Sequence, residues 1–341
     1  MIKVGLVGYG FMGDMHAQCH NAAGESRIVA VVDVDEAKRD KAKKKIGCDV
    51  YATIDDMLAS ADVDMVDICT PTFLHAEHAV AAARAGKHIL CEKPMAMTVA
   101  ECDKMIDAVN KAGVTMMIAQ VIRFWPEYQV VKKIVDSGRY GNVMWVSARR
   151  FSPPASWAWE KWLWDPKRSG GGVLDLHIHD QDYIAYLLGS PKQVFAQGVR
   201  GPGGGLDAVQ AMGFGHKSGA RSFAEGSLIM SETYPFNMAL IVSLQTACIK
   251  LDTGLDQSLM VYPNECEPFA PDLPSPEIGA STETSGNLSS LGGYYNEIKY
   301  FIECLKANKK PEVVTPEDGR EAVKICLAVT KSAETGCVVD L

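Results

Sequence analysis

The chain has 341 residues and carries 34 Lys plus Arg against 42 Asp plus Glu, a formal net charge of −8. That length suits two domains, and an apolar fraction of 47% excludes wholesale disorder and allows a large core without disulfide or metal staples. The acidic balance weighs against nucleic acid or an anionic membrane surface as the main partner, while leaving room for a basic cleft.

No run of about 18 apolar residues occurs, so no transmembrane helix is expected. Residues 1–8 read as a first strand and lack the basic and apolar regions of a signal peptide. Ten cysteines are scattered without a C-x-x-C pair. This argues against cysteine zinc knuckles and thioredoxin-type chemistry and suits a reducing compartment, so the cytoplasm is expected.

In chain order, residues 2–7 read as a strand, 11–23 as a helix, 28–34 as a strand and 36–45 as a charged helix. A strand at 65–69, an alanine-rich helix at 77–85, a strand at 88–91, a helix at 99–112 and a strand at 115–119 follow. This alternation predicts a parallel sheet covered on both faces. Beyond residue 123 the texture changes. A helix at 126–136 and a strand at 143–150 precede a tryptophan-rich stretch, a triple glycine at 170–172 and a helix at 173–188. Strand-like runs at 193–199, 208–215, 221–230, 238–245 and 247–251 have the spacing of an antiparallel sheet. The glycine-rich stretch 201–205 lacks the Lys-Ser/Thr of a phosphate loop and reads as a hairpin tip. A Pro-, Ser-, Glu- and Thr-rich loop at 263–287 and helices at 293–307 and 316–335 close the chain.

Gly8-Tyr9-Gly10-Phe11-Met12-Gly13 is a G-x-G-x-x-G run that follows a strand and opens a helix. Asp33 lies 33 − 13 = 20 residues beyond its last glycine, at the end of the second strand run. This is the context of a dinucleotide fingerprint. Gly8 permits the tight turn, Gly10 lets the backbone approach a pyrophosphate, Gly13 lets helix and strand pack, and the helix N-terminus favours the phosphates. Asp33 is expected to accept from the ribose hydroxyls and to repel a 2′-phosphate, and no Lys or Arg lies between it and Lys38. NAD(H) is therefore favoured over NADP(H).

Cys69-Thr70-Pro71-Thr72-Phe73-Leu74-His75 follows the fourth strand run and Glu92-Lys93-Pro94 the fifth. With the fingerprint, with Gln120-Val121-Ile122-Arg123-Phe124, with Asp175-Leu176-His177-Ile178-His179 behind the triple glycine, and with Tyr294-Tyr295-Asn296-Glu297, the chain resembles the glucose–fructose oxidoreductase / inositol dehydrogenase / MocA family. The resemblance implies an α/β Rossmann domain, residues 1–121, and an α+β domain, residues 122–341, with a large, mostly antiparallel open-faced sheet. It also implies that the last helix returns to the Rossmann domain and that the open face joins subunits into a homodimer or homotetramer. The implied chemistry is reversible hydride transfer between nicotinamide and a ring carbinol of a sugar, sugar derivative or cyclitol.

Such a reaction needs a base for the hydroxyl proton, a donor on the oxygen and an oriented carbinol. Lys93 follows a strand at the carboxyl edge of the sheet, where open α/β sheets bind ligands, and a partly buried lysine can exchange a proton; a solvated surface lysine is the plain alternative. Asp175 and His179 are four apart, on one helix face, with Asp182 close to that face. A carboxylate beside an imidazole favours its charged form and fixes its orientation. His179 is the candidate acid/base and Asp175 its partner, and the sequence leaves open whether Lys93 or His179 is the base. A metal reading of His177 and His179 is disfavoured because residues two apart on a helix point about 200° apart; no metal is expected, and a purely structural helix is the remaining alternative.

The resemblance adds Phe11, Met12, Thr70, Pro71, His75 and Glu92 to the cofactor side, and Arg123, Trp162 and Tyr294 to the substrate side. His75 could equally cap a helix, Arg123 pair with an acid, and Tyr294 merely pack. Trp157, Trp159, Trp162 and Trp164 suit stacking on sugar faces or, equally, core packing or a subunit interface. Transient ring oxidation of a glycoside before elimination, and a non-catalytic NAD-bound sensor, are the rival functions.

Overall fold

The computed structural model describes residues 1–155, 158–274 and 291–341. Its elements are, in order, β1 (Ile2–Val7), α1 (Phe11–Ala23), β2 (Ser26–Val32), α2 (Glu36–Ile46), β3 (Asp49–Tyr51), α3 (Ile54–Ser60), β4 (Met65–Ile68), α4 (His75–Arg84), β5 (His88–Glu92), α5 (Val99–Ala112) and β6 (Met116–Ala119). Then come α6 (Pro126–Asp136), β7 (Val143–Phe151), α7 (Pro166–Ser169), α8 (Ile178–Leu188), β8 (Gln193–Arg200), β9 (Leu206–Phe214), β10 (Arg221–Ser227), β11 (Asn237–Leu244), β12 (Ala247–Asp252), β13 (Leu259–Pro263), α9 (Gly292–Lys306), α10 (Pro316–Thr335) and β14 (Val339–Asp340). Trp157 and most of the expected 263–287 loop lie outside the described residues. By compactness the chain divides into Met1–Trp125 with Pro276–Arg320, and Pro126–Ser275 with Glu321–Leu341.

The first unit is built on a six-stranded parallel sheet in the order β3-β2-β1-β4-β5-β6. Its central strands are apolar runs buried on both faces, as parallel sheets require. Side chains of Asp35, Thr53 and Thr98 cap α2, α3 and α5 by accepting backbone N–H groups, and Gly24, Gly47 and Gly113 end α1, α2 and α5 in left-handed conformation. The order reverses between β1 and β4, and the crevice beyond the carboxyl ends of such neighbours is where doubly wound sheets bind ligands. α9 packs against α1, so this late stretch belongs with the first unit.

The second unit is built on an eight-stranded sheet in the order β13-β12-β11-β7-β10-β9-β8-β14. The pair β7/β10 is parallel and every other pair antiparallel. Burial alternates along the strands: Val146, Ala148 and Arg150 of β7 and Leu240, Val242 and Leu244 of β11 face inward. On the opposite face Trp145, Met212, Ile241 and Tyr262 are each about two-fifths exposed. The stretch 201–205 forms the tip of the β8/β9 hairpin, closed by the Gly201 N–H donating to the Gly205 carbonyl and the Gly204 N–H to the Gly201 carbonyl.

Candidate active site

β1 runs into α1 through the glycine turn. Gly8 has φ +92°, and a Cβ there would lie 2.7 Å from the Cys69 carbonyl oxygen. A Cβ on Gly13 would lie 1.9 Å from the Gly8 carbonyl oxygen. Gly10 is different: its φ of −83° suits any residue, and no protein atom lies within 4 Å of the missing Cβ. The protein's own packing does not demand a glycine there, whereas a pyrophosphate drawn close to the backbone does. Among the described residues no side chain caps α1, and the N-terminus of this helix, at the half-buried Phe11 and Met12, is the end that favours a phosphate.

Asp33 follows β2 and is buried; its two oxygens accept the N–H groups of Tyr9, at 2.8 Å, and Asp35, at 2.9 Å. Each carboxylate oxygen keeps a second lone pair, the requirement for holding ribose hydroxyls. Lys38 lies 3.9 Å from Asp33 Oδ2, and Arg39 donates to the carbonyls of Asp33 and Val34. The residues present therefore fit NAD at both its pyrophosphate and its ribose.

At the ends of β4 and β5, His75 is buried with Nδ1 2.8 Å from the Pro94 carbonyl and Nε2 2.8 Å from the Thr70 carbonyl. Both partners are acceptors, and burial holds the imidazole below its ordinary pKa, so the neutral ring between the two motif loops donates to one carbonyl at a time. It heads α4 without making a side-chain cap, so the capping alternative is corrected. Thr70 and Pro71 are half-buried, and the Thr70 hydroxyl is 3.2 Å from His78 Nδ1. Glu92 is buried and accepts the Lys93 backbone N–H at 3.0 Å; Lys93 itself is half-buried.

Beneath this turn lies a group of residues absent from the sequence reading. His16 of α1 is fully buried, with Nδ1 2.9 Å from Asp67 Oδ2 and Nε2 3.0 Å from Glu92 Oε1. His20 lies one turn on, 3.0 Å from Asp67 Oδ2 and 2.8 Å from the Ser26 hydroxyl. Burial pushes His16 down, but the Asp67 carboxylate outweighs it and holds the imidazole well above its ordinary pKa. Burial alone would raise Asp67; His16 and His20 hold it far below the usual carboxylate range. Donor atoms of His16, Asp67 and Cys69 fall within 4.8 Å of one another. An imidazolium donating from both nitrogens has no lone pair for a metal, so hydrogen bonding accounts for the cluster. The signal in the sequence was an aspartate inside the apolar run Met65–Ile68.

In the second unit, Val173–His177 is a π-helical turn that leads into α8. Between residues 171 and 184 every residue is buried except Asp175 and His179. Asp175 and His179 are thus the two residues of this stretch left partly open, while Asp182 is 1% exposed. His177 points inward, 2.7 Å from Gln181 and packed against Gly226, and burial and then Arg150 push it down to about 3. Arg150 forms a buried double hydrogen bond with Asp180, next to His179 in the chain. Asp207 accepts the Gly172 N–H at 3.0 Å and ties the triple glycine to the β8/β9 hairpin.

Arg123 is buried and donates to the Val313 carbonyl at 2.8 Å, with Asp318 at 3.2 Å, so it pairs with an acid inside the first unit. Tyr294 of α9 lies 6.2 Å from the His16 ring and 6.1 Å from Trp125, centroid to centroid. Trp162 is half-buried in a turn, Trp159–Trp164, in which Glu160 and Lys161 are left-handed at φ 47° and 50°. Such backbone is costly for residues other than glycine and clusters at functional sites.

A parallel sheet in this order, with a glycine turn shaped for a pyrophosphate and an acid ending β2, defines an NAD-dependent dehydrogenase. Residues 2–120 match the model of the oxidoreductase family with NAD-binding Rossmann fold, and residues 128–248 match the GFO/IDH/MocA C-terminal domain. The chain is 28% identical to the myo-inositol 2-dehydrogenase of Thermotoga maritima over 98% of this chain and 96% of that one. It is 37% identical to the inositol 2-dehydrogenase of Rhizobium meliloti over 55% of each. The WlbA dehydrogenase of Bordetella pertussis, solved with NADH and UDP-GlcNAcA, shares the fold, with TM-score 0.84 at 20% identity over 100% of this chain and 97% of that one. The chain belongs to the Gfo/Idh/MocA oxidoreductase family.

Proposed function

We propose that this enzyme oxidises a secondary ring alcohol of a cyclitol or sugar, with myo-inositol the first substrate to test. The observation that carries the reading is the pair Asp175 and His179, the two polar groups left partly open in an otherwise buried turn. The names of the two inositol dehydrogenase relatives support the cyclitol class. When bound, NAD⁺ accepts the carbinol hydride. Lys93 holds the reacting oxygen, His179 takes its proton, and Asp175 orients the imidazole and binds a neighbouring hydroxyl. The sum is alcohol plus NAD⁺ giving ketone, NADH and one proton. Thr70, Pro71 and Glu92 shape the nicotinamide side, and Tyr294 and Trp162 contact the ring.

The outer face of the eight-stranded sheet, with Trp145, Met212, Ile241 and Tyr262, supports assembly into a homodimer or homotetramer. No helix among the described residues is long and apolar enough to cross a membrane. All ten cysteines are free, which supports placement in the reducing cytoplasm.

NAD⁺ reduction across inositols, hexoses and glycosides tests the reading. Turnover on a cyclitol or free sugar is expected; silence across the panel with NADH bound would sink it. Lys93→Ala and His179→Ala are each expected to lower kcat by roughly 10²- to 10⁴-fold while sparing NADH binding. Full turnover in either variant removes that residue from the chemistry. The strained turn around Trp162 favours a second reading, ring oxidation of an intact glycoside with the aglycone on the indole. It is distinguished by a glycoside product two mass units lighter.

A further inference from the structure

The hydrogen bonds of His16 link three elements far apart in sequence: α1, Asp67 in β4 and Glu92 at the end of β5. The second oxygen of Glu92 accepts the backbone N–H of Lys93. His16, Asp67 and Glu92 are 0%, 0% and 5% exposed, so water does not compete for these bonds. We propose that His16 is a positioning residue: it fixes the Glu92 carboxylate, and through it the backbone from which the Lys93 side chain departs.

Two features single out His16 rather than general packing. First, among the described residues its ring is the donor that links Asp67 to Glu92, and both of its nitrogens face carboxylates, so both carry protons. Second, it is the cation of a set otherwise rich in acids. Glu297 of α9 is fully buried, with neither oxygen hydrogen-bonded among the described residues. Burial, then the Glu92 carboxylate, raises Glu297 well above its ordinary range, against the opposing pull of His16. Cys69, Cys19, His20 and Tyr294 also lie around the ring. Without the imidazolium, Glu92 would face Asp67 and Glu297 with no cation on its inner side, and its grip on Lys93 would loosen.

The inference rests on the role proposed for Lys93, and the test separates the two. In glutamine the side-chain N–H matches histidine Nε2 and can still reach Glu92; in asparagine it matches Nδ1 and reaches only Asp67. Three variants, His16→Ala, His16→Gln and His16→Asn, are compared by hydrogen exchange of the Lys93 amide, by kcat and KM, and by NADH affinity. His16→Ala is expected to lose roughly tenfold in Lys93 amide protection and roughly tenfold in kcat, with the NADH Kd changed less than about threefold. His16→Gln keeps the donor to Glu92 but not the charge, so it is expected to recover part of both losses, and His16→Asn neither. Unchanged amide protection in His16→Ala, or Gln and Asn variants that fall together in step with melting temperature, would overturn the proposal. Full turnover of Lys93→Ala would instead remove the role of Lys93, and the amide exchange would still decide whether His16 holds this turn.

Discussion

His16 and His177 are both fully buried histidines, and their surroundings drive them in opposite directions. Among the described residues His177 meets an amide and the field of Arg150 but no carboxylate, so burial and then Arg150 keep it neutral, with its pKa pushed down to about 3. An unfolded histidine titrates near 6.5. Between these values the unfolded chain binds a proton that the folded chain refuses, so stability falls as pH drops below about 6.5, at up to about 1.4 kcal/mol per unit. Asp67 adds to the loss in stronger acid: its folded pKa is depressed, so its contribution stands above about 3.9 and disappears as pH falls through the folded value. His16 has the opposite sign. Its folded pKa is raised, so its contribution is full below about 6.5 and is lost as pH rises through the folded value. Melting temperature followed from pH 4 to pH 9 is therefore expected to decline on both sides of a near-neutral maximum, and His177→Gln to flatten the decline between roughly pH 6.5 and 4. An unchanged acid slope in that variant would show that His177 is not the group titrating. The sequence singled out Asp175 and His179 from their spacing, but the neutrality of His177 depends on Gly226 and Gln181 and on Arg150 from β7, which no spacing within the helix reveals.

Among the elements, the turn from β1 into α1 separates glycines that serve the fold from the one that serves the ligand. Gly13→Ala would drive a Cβ to 1.9 Å from the Gly8 carbonyl oxygen, backbone that cannot swing aside. A fall of at least about 2 kcal/mol in unfolding free energy is expected, read by denaturant titration. Gly10→Ala places its methyl in open space and is expected to leave stability within about 0.5 kcal/mol while weakening NADH binding by roughly tenfold or more. Equal effects on stability would refute the distinction. Helices with clear periodicity, such as α1, α5, α6 and α10, were legible to the residue. β3, β13 and β14, with three, five and two residues, were not, because runs this short carry no usable period. The π turn was also hidden: Val173–Leu188 reads as one helix, and its widened start depends on packing against β9 and β10. The His16 set was equally hidden, because its bonds span 51 and 76 residues and exist only once the parallel sheet has formed.

At the scale of the whole molecule, the eight-stranded sheet turns one face to its own helices and leaves large apolar side chains on the other. Met212 lies opposite Phe223, Phe223 opposite Ser147, and Ser147 opposite Ile241, so three apolar side chains and a small serine line up across four strands. Ile241→Glu would place a charge at the end of that row. In the proposed assembly, light scattering is expected to give a multiple of the 37.0 kDa chain for the wild type and a single chain for this variant, with NADH affinity retained. A monomeric wild type would refute assembly through this face. The division into an NAD-binding unit and an antiparallel-sheet unit was readable from the change in texture after residue 123. The resemblance brought the last helix, α10, back to the first domain; the helix that packs there is α9, and α10 from Glu321 onward belongs with the second unit, since an amphipathic helix does not name the surface it packs against.

The central claim is that hydride passes from a ring carbinol to the nicotinamide, with Lys93 and His179 handling the oxygen and its proton. The most direct measurement supplies NAD⁺ and a cyclitol deuterated at its carbinol carbons, and weighs the reduced cofactor. NADH one mass unit heavier, formed by the wild type and suppressed together in Lys93→Ala and His179→Ala, is the predicted result. Reduced cofactor without the label, or undiminished labelling in both variants, would contradict the account.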